Sequence, residues 1–201
     1  MDPLFAQLQQ RLRQRPGRPL NLPGLELREA AVLVPLFLRR GVPFALFTKR
    51  PATLRTHAGQ ISFPGGSRDG SDATPLHTAL RETEEELGLP KAEVTVLGLL
   101  HEIPTITEFR IAPFVGVIPD GYPLRPNPEE IDRVIEVPIP HLMDRSSQRV
   151  ERLDVRGQLR DVYFFDYGED VIWGATARIL KDLLEVLSEL PSWCELLVRK
   201  T

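Results

Sequence analysis

Apolar residues recur along this chain with two different spacings, and the changes between them mark out the elements. Ala30 to Leu38 is an almost continuous apolar run. It is far too short to cross a bilayer, and its valines and bounding turn residues predict a buried strand. Phe44 to Thr48, across Gly41-Val42-Pro43, is expected to pair with it as a hairpin. Val94 to His101, Arg110 to Ile118 and Val134 to Ile139 read as further strands, with a loop from Pro104 to Phe109. Gln148 to Val155 and Leu159 to Phe165 form a second predicted hairpin over Arg156-Gly157-Gln158. Helical spacing appears three times. Residues 3 to 15 place Leu4, Phe5, Leu8 and Leu12 on one side, residues 75 to 87 form a second helix, and residues 174 to 190 align Ile179, Leu183, Val186 and Leu190. The Pro/Gly-rich stretch Pro16 to Gly24 reads as a linker, which divides the chain into a helix plus linker over 1–24 and one domain over 25–201. Strands mixed with substantial helices on either side predict an α/β/α sandwich with a mixed β-sheet.

The helix over 75–87 has clear ends. Thr74 is an N-cap, Pro75 suits the first helical position, and Gly88 is a stop. At about 100° per residue, Leu76, Ala79, Leu80, Thr83 and Leu87 form the stripe expected to be buried, with Leu80 at its centre. Glu82, Glu85 and Glu86 gather on the neighbouring face, and Glu84 falls on the far side. Like charges at such spacing destabilise a helix by roughly 0.2–0.5 kcal/mol per pair. Arg81 pairs with Glu85 one turn on, but one guanidinium does not neutralise three acids, and hard cations such as Mg²⁺ or Mn²⁺ prefer an all-oxygen site of this kind. Acidic helix faces are usually only solvated. Here the helix is preceded by Phe63-Pro64-Gly65-Gly66 and followed by Gly88-Leu89, which points beyond solvation.

These residues resemble the Nudix hydrolase family, whose box reads G-x5-E-x7-R-E-U-x-E-E-x-G-U with U apolar. Gly66, Arg81, Glu82, Glu85, Glu86, Gly88 and Leu89 match it. Asp72 stands where the box has its first Glu, one extra residue separates Asp72 from Arg81, and Thr83 occupies an apolar slot. The preceding segment, Leu46-Phe47-Thr48-Lys49-Arg50 and Leu54-Arg55-Thr56-His57-Ala58-Gly59-Gln60 running into Phe63-Pro64-Gly65-Gly66, is similar to the pattern of the coenzyme A pyrophosphatase branch. Asn127-Pro128-Glu129-Glu130 resembles that branch's NPxE step, which presents a further acid to the metal centre, whereas Glu108 stands where relatives often carry Gly. The resemblance implies a Nudix-type α/β/α fold, a Mg²⁺ or Mn²⁺ site on Glu82, Glu85 and Glu86, and cleavage of coenzyme A into 3′,5′-ADP and 4′-phosphopantetheine. Arg81 and Glu85 join the catalytic set. Glu130 is the candidate base, with Glu129 and Glu85 as competitors.

Arg50 and Arg55 suit phosphate through bidentate contacts or else make surface ion pairs, and His57 either meets substrate or orders its loop. Gly65 and Gly66 let backbone approach metal or phosphate, or simply turn tightly. With 201 residues, 22.7 kDa and 42% hydrophobic composition, the chain suffices for one domain. A net charge of −3 provides no field for a long nucleic acid, so anionic substrates would have to be met by local arginines and by metal; the resemblance implies a small pyrophosphate compound as substrate, and no membrane partner is expected. One cysteine, Cys194, fits a cytoplasmic setting and a role as apolar filler beside Trp193. The Arg-rich amphipathic start is read as a helix docked on the domain or on a partner subunit, which leaves a homodimer open, in preference to a transit peptide. The rival functions are a Nudix enzyme acting on ADP-ribose, a nucleotide sugar or a nucleoside triphosphate, a non-catalytic Nudix-fold ligand-binding module, and a structural scaffold.

Overall fold

The computed structural model describes residues 1–22, 24, 26–53 and 57–193. Arg55 and Cys194 therefore lie outside the described residues. In chain order the elements are α1 (Pro3–Gln14), β1 (Arg28–Arg39), β2 (Val42–Lys49), β3 (Ile61–Ser62), β4 (Gly65–Ser67), α2 (Pro75–Leu87), β5 (Thr95–Leu99), β6 (Ile103–Pro104), β7 (Phe109–Val117), β8 (Arg133–Pro138), α3 (Ile139–Met143), β9 (Gln148–Val155), β10 (Gln158–Tyr167), β11 (Asp170–Trp173) and α4 (Gly174–Ser188).

Both expected hairpins form. Each turns on two residues, Arg40-Gly41 and Arg156-Gly157, all with positive φ, the left-handed conformation that lets a two-residue turn follow the twist of its strands. The first turn thus sits one step earlier than Gly41-Val42-Pro43, because Val42 already pairs with Arg39. At the centre of the main sheet β1 runs parallel to β7 from Arg28↔Phe109 to Leu36↔Val117. Its spine is β3-β2-β1-β7-β5, with β4 paired to β1, β6 to β7 and β8 to β2. A second sheet, β11-β10-β9, stands apart.

Alternation along the central strands divides the core into two faces. On β1, Val34 and Leu36 meet Phe5, Leu8 and Leu12 of α1 and Ile179, Leu180 and Leu183 of α4 in the larger apolar cluster. Phe37 points the other way with Leu46, Leu87 and Leu89, and Ala31 packs with Ala79 and Ala112. Helices therefore cover both faces of a mixed sheet, as the sandwich reading requires. The N-terminal helix docks on its own chain: the Trp193 indole N–H donates to the Leu4 carbonyl at 3.2 Å and its ring lies 6.1 Å from Phe5.

Three expectations need correction. The stretch after α1 is tied down where described: Gly17 N–H donates to the Leu99 carbonyl, Arg18 O accepts from Glu102 N–H, and Leu20 N–H donates to the Glu102 carboxylate. The last helix ends at Ser188. Leu80 does not lie at the centre of the buried face of α2; it is half-buried, and Thr78, Ala79, Thr83, Glu86 and Leu87 point inward. Small residues there let the helix approach β1, β4 and β7 closely, and this rotates the inward face away from Leu80 and onto a glutamate.

Candidate active site

The site is built where α2 crosses the glycine strand β4. Thr74 caps the helix by accepting from His77 N–H at 3.2 Å, and Gly88, at φ 64°, ends it. Gly66 lies directly under Glu82: a Cβ there would sit 2.5 Å from the Glu82 carboxylate carbon. Gly65, at φ 148°, aims its N–H at Glu86 Oε2, 3.2 Å away, and a Cβ at Gly65 would meet the Ala31 carbonyl at 2.3 Å. These two glycines thus bring backbone against the acids, with Gly65 supplying a donor.

Glu86 is 3% exposed. Burial pushes its carboxyl up to about 8, the nearby Glu130 and Glu82 charges push the same way, and the Gly65 N–H and the Arg50 guanidinium oppose them. Burial also raises Glu82, against the pull of Arg81. Glu85 is exposed and bonded to Arg81 at 2.8 Å.

Arg81 organises the other flank. Its guanidinium donates twice to Asp72, at 3.0 and 2.9 Å, and also to the Ser67 carbonyl, and it pairs with Glu82 at 2.9 Å. Asp72 is 2% exposed and also accepts from Thr78 Oγ1 at 3.0 Å and Asp69 N–H at 2.9 Å. Its bonds to Arg81, above all, hold its carboxyl well below the usual carboxylate range. A buried charge is tolerated where it is this fully paired. Asp72 is therefore a lock on the helix, fixing the guanidinium that holds Glu82 and Glu85.

The segment between β7 and β8 closes the far end of α2. Arg125 N–H donates to the Leu87 carbonyl at 2.7 Å and Asn127 N–H to the Glu86 carbonyl at 2.8 Å, satisfying two carbonyls that a helix end leaves without intrahelical partners. The same turn brings Glu130 toward Glu86 and Glu82, which feel its charge. Glu129 is exposed. Arg50, at the end of β2, has a buried Nε with no hydrogen-bond partner and lies near enough to Glu86 to stabilise its ionised form. His57 is exposed, at φ 56°, and its Nδ1 lies 2.7 Å from Gln60 Oε1 within the same loop.

Several of these partners are not visible in the sequence. The box pattern marks Asp72 as a displaced acid but not as the buried partner of Arg81, and it marks Asn127 only as the start of a motif. Lys49 and Arg133, paired across β2 and β8, converge on Asp170, 6% exposed, at 3.0 and 2.7 Å. An isolated sequence carries no sign of that contact.

Among the described residues no three acidic, histidine or cysteine side chains converge as a closed metal-ligand set, since Glu82 and Glu85 both lean on Arg81. The chemistry of the donors nonetheless fits a hard divalent cation: Glu86 is a buried carboxyl that feels the charges of Glu82 and Glu130, and Gly66, with no side chain, leaves the Glu82 carboxylate room.

A NUDIX domain model matches residues 27–152. A protein from Photorhabdus laumondii described as the uncharacterized Nudix hydrolase NudL is 42% identical over 158 residues, covering 79% of this chain and 84% of that one. Its counterpart from Escherichia coli K12 is 39% identical over 166 residues, covering 82% and 85%. Among solved structures, the Nudix hydrolase RenU from M. smegmatis superposes with a TM-score of 0.56 at 20% identity, covering 82% of this chain and 88% of that one, which shows the shared fold. With the box acids, the glycine strand and the sandwich all in place, the chain belongs to the Nudix hydrolase family.

Proposed function

We propose that this Nudix pyrophosphohydrolase cuts the diphosphate of coenzyme A or an acyl-CoA, giving 3′,5′-ADP and 4′-phosphopantetheine or its acyl form. The observation that carries the hydrolytic reading is Glu86: a buried carboxyl held against Glu82 and Glu130 with too little cation around it is poorly placed for stability and well placed to take a metal. Glu82, Glu85 and Glu86 would hold Mg²⁺ or Mn²⁺, which supplies charge neutralisation at the diphosphate and lowers the pKa of water. The chain's own groups do the rest. Glu130 accepts the proton of the attacking water as it adds to one phosphorus and the P–O bond to the bridging oxygen breaks. Arg50, with its unpartnered Nε, grips a phosphoryl oxygen. Arg81 keeps Glu82 and Glu85 in position through its tie to Asp72.

The choice of coenzyme A rests on the Leu46 to Gly66 sequence pattern. Arg55 and His57 are the candidates to recognise what coenzyme A has beyond the diphosphate, its 3′-phosphate and its pantetheine arm. The test is mass spectrometry of products from coenzyme A, an acyl-CoA, ADP-ribose and NADH, each with Mg²⁺ or Mn²⁺. Formation of 3′,5′-ADP at a kcat/KM above that for the other compounds is expected. A wild-type protein that ignores coenzyme A while cutting ADP-ribose overturns the choice, and one that cuts no pyrophosphate at all overturns the reading.

A further inference from the structure

The general base proposed above sits on a turn, and turns do not ordinarily hold a glutamate in one place. Something must keep Glu130 aimed at Glu86 and Glu82 against the repulsion of those acids. Among the described residues, Asn127 makes the hydrogen bonds that reach both this turn and the Glu130 carboxylate. Its backbone N–H donates to the Glu86 carbonyl at 2.8 Å, which anchors the turn to the last turn of α2. Its carbonyl accepts from Glu130 N–H at 3.0 Å and Ile131 N–H at 2.8 Å, which winds the backbone around it. Its side-chain oxygen accepts from Glu129 N–H at 3.2 Å, an Asx turn that sends Glu129 outward. Its side-chain Nδ2 donates to Glu130 Oε1 at 3.1 Å. One residue thus fixes the backbone, the neighbour and the carboxylate.

We propose that Asn127 is a positioning residue that holds the Glu130 carboxylate toward the acids of α2. This rests on the hydrolytic reading above for its catalytic consequence, though not for its geometry. The amide is the suitable side chain because it both accepts from a backbone N–H and donates to a carboxylate. Aspartate keeps the first contact and loses the second, placing a negative charge where the donor was. Asn127→Asp should therefore leave the turn folded and release Glu130.

The experiment is a double-mutant cycle with Asn127→Asp and Glu130→Gln, assayed on the best pyrophosphate substrate, with a crystal structure of metal-free Asn127→Asp alongside. Expected are a melting temperature close to wild type, a fall in kcat of at least tenfold with KM within about twofold, and no further fall when Asn127→Asp is added to Glu130→Gln. In the crystal, the Glu130 carboxylate should have left its place beside Glu86. Additive losses in the cycle overturn the proposal, as does a variant crystal in which Glu130 has not moved. The crystal decides this even if wild type hydrolyses nothing, a result that would sink the hydrolytic reading alone.

Discussion

Asp72 and Glu86 are two carboxyls buried to the same degree, at 2% and 3% exposure, a short distance apart in sequence, one in the turn before α2 and the other on its inward side. Their fates are opposite. Asp72 receives two bonds from Arg81, one from Thr78 and one from Asp69, and stays ionised far below the ordinary range. Glu86 receives one weak bond from Gly65, faces two further acids, and is pushed up to about 8. Burial alone therefore decides nothing; the number and sign of the partners do. The satisfied acid fastens the structure, and the unsatisfied one is the group left to bind something.

The sharpest way to break this contrast is to remove each charge in turn. Glu86→Gln keeps the shape and is expected to lower kcat by about 10²–10⁴, roughly 3–5 kcal/mol of transition-state stabilisation, with the fold intact. Steady-state kinetics under saturating Mg²⁺ will show it, and a rate equal to wild type would remove Glu86 from the metal site. Asp72→Asn should instead act on stability, by about 2–3 kcal/mol in urea denaturation. That is below the roughly 3–5 kcal/mol typical of breaking a buried pair, because Arg81 is partly exposed and keeps Glu82 and Glu85.

The two acids should also respond to pH in opposite senses. Asp72 has a depressed pKa, so its contribution is complete above the unfolded value of 3.8 and is lost as the solution is acidified below it. Glu86 is raised from 4.5 to about 8, so between those values the folded, metal-free protein binds more protons than the unfolded chain, and its stability falls as pH rises. Thermal melting in chelator should lose several degrees, about 2 kcal/mol, between pH 6 and pH 8. Glu86→Gln should flatten that slope, and added Mg²⁺ should stabilise wild type more at pH 8 than at pH 6. A flat wild-type profile would mean that Glu86 is not raised. The smallest effects lie on the outward side of α2. Leu80→Ala, at a half-buried position, should cost about 1 kcal/mol, and Glu84→Gln should stay within about 0.5 kcal/mol and leave kcat unchanged. A loss of several kcal/mol at Leu80 would restore it to the core.

The contrast also explains what could be read from the chain alone. Local signals were legible: Thr74, Pro75 and Gly88 set the ends of α2 to the residue, and the apolar run before Arg40 gave a core strand with its hairpin partner. Apolar spacing misplaces the inward face of α2 because apolarity does not by itself mean burial. Close approach to Gly65 and Gly66 selects small side chains, so Ala79 and Thr83 face in while the larger Leu80 is pushed aside. Short strands such as Ile61–Ser62, Gly65–Ser67 and Ile103–Pro104 hold too few residues to show a period. The one-turn helix Ile139–Met143 carries Pro140 and was hidden at the end of a strand. The acids and arginine of the box were visible as types, but which acid takes the guanidinium depends on how the turn before the helix folds back. That information lies in the packing.

The clasp between Leu4 and Trp193 has a consequence for how the molecule is made. Those residues are 189 positions apart, so at about 5–20 residues per second on the ribosome the first helix waits roughly 10–40 s for its partner. During that interval Phe5, Leu8 and Leu12, which the finished molecule buries against α4, have nothing of the C-terminal helix to cover them. The first segment to be synthesised is thus among the last to settle, and a nascent chain halted before Gly174 presents an amphipathic helix to whatever holds unfolded protein in the cell.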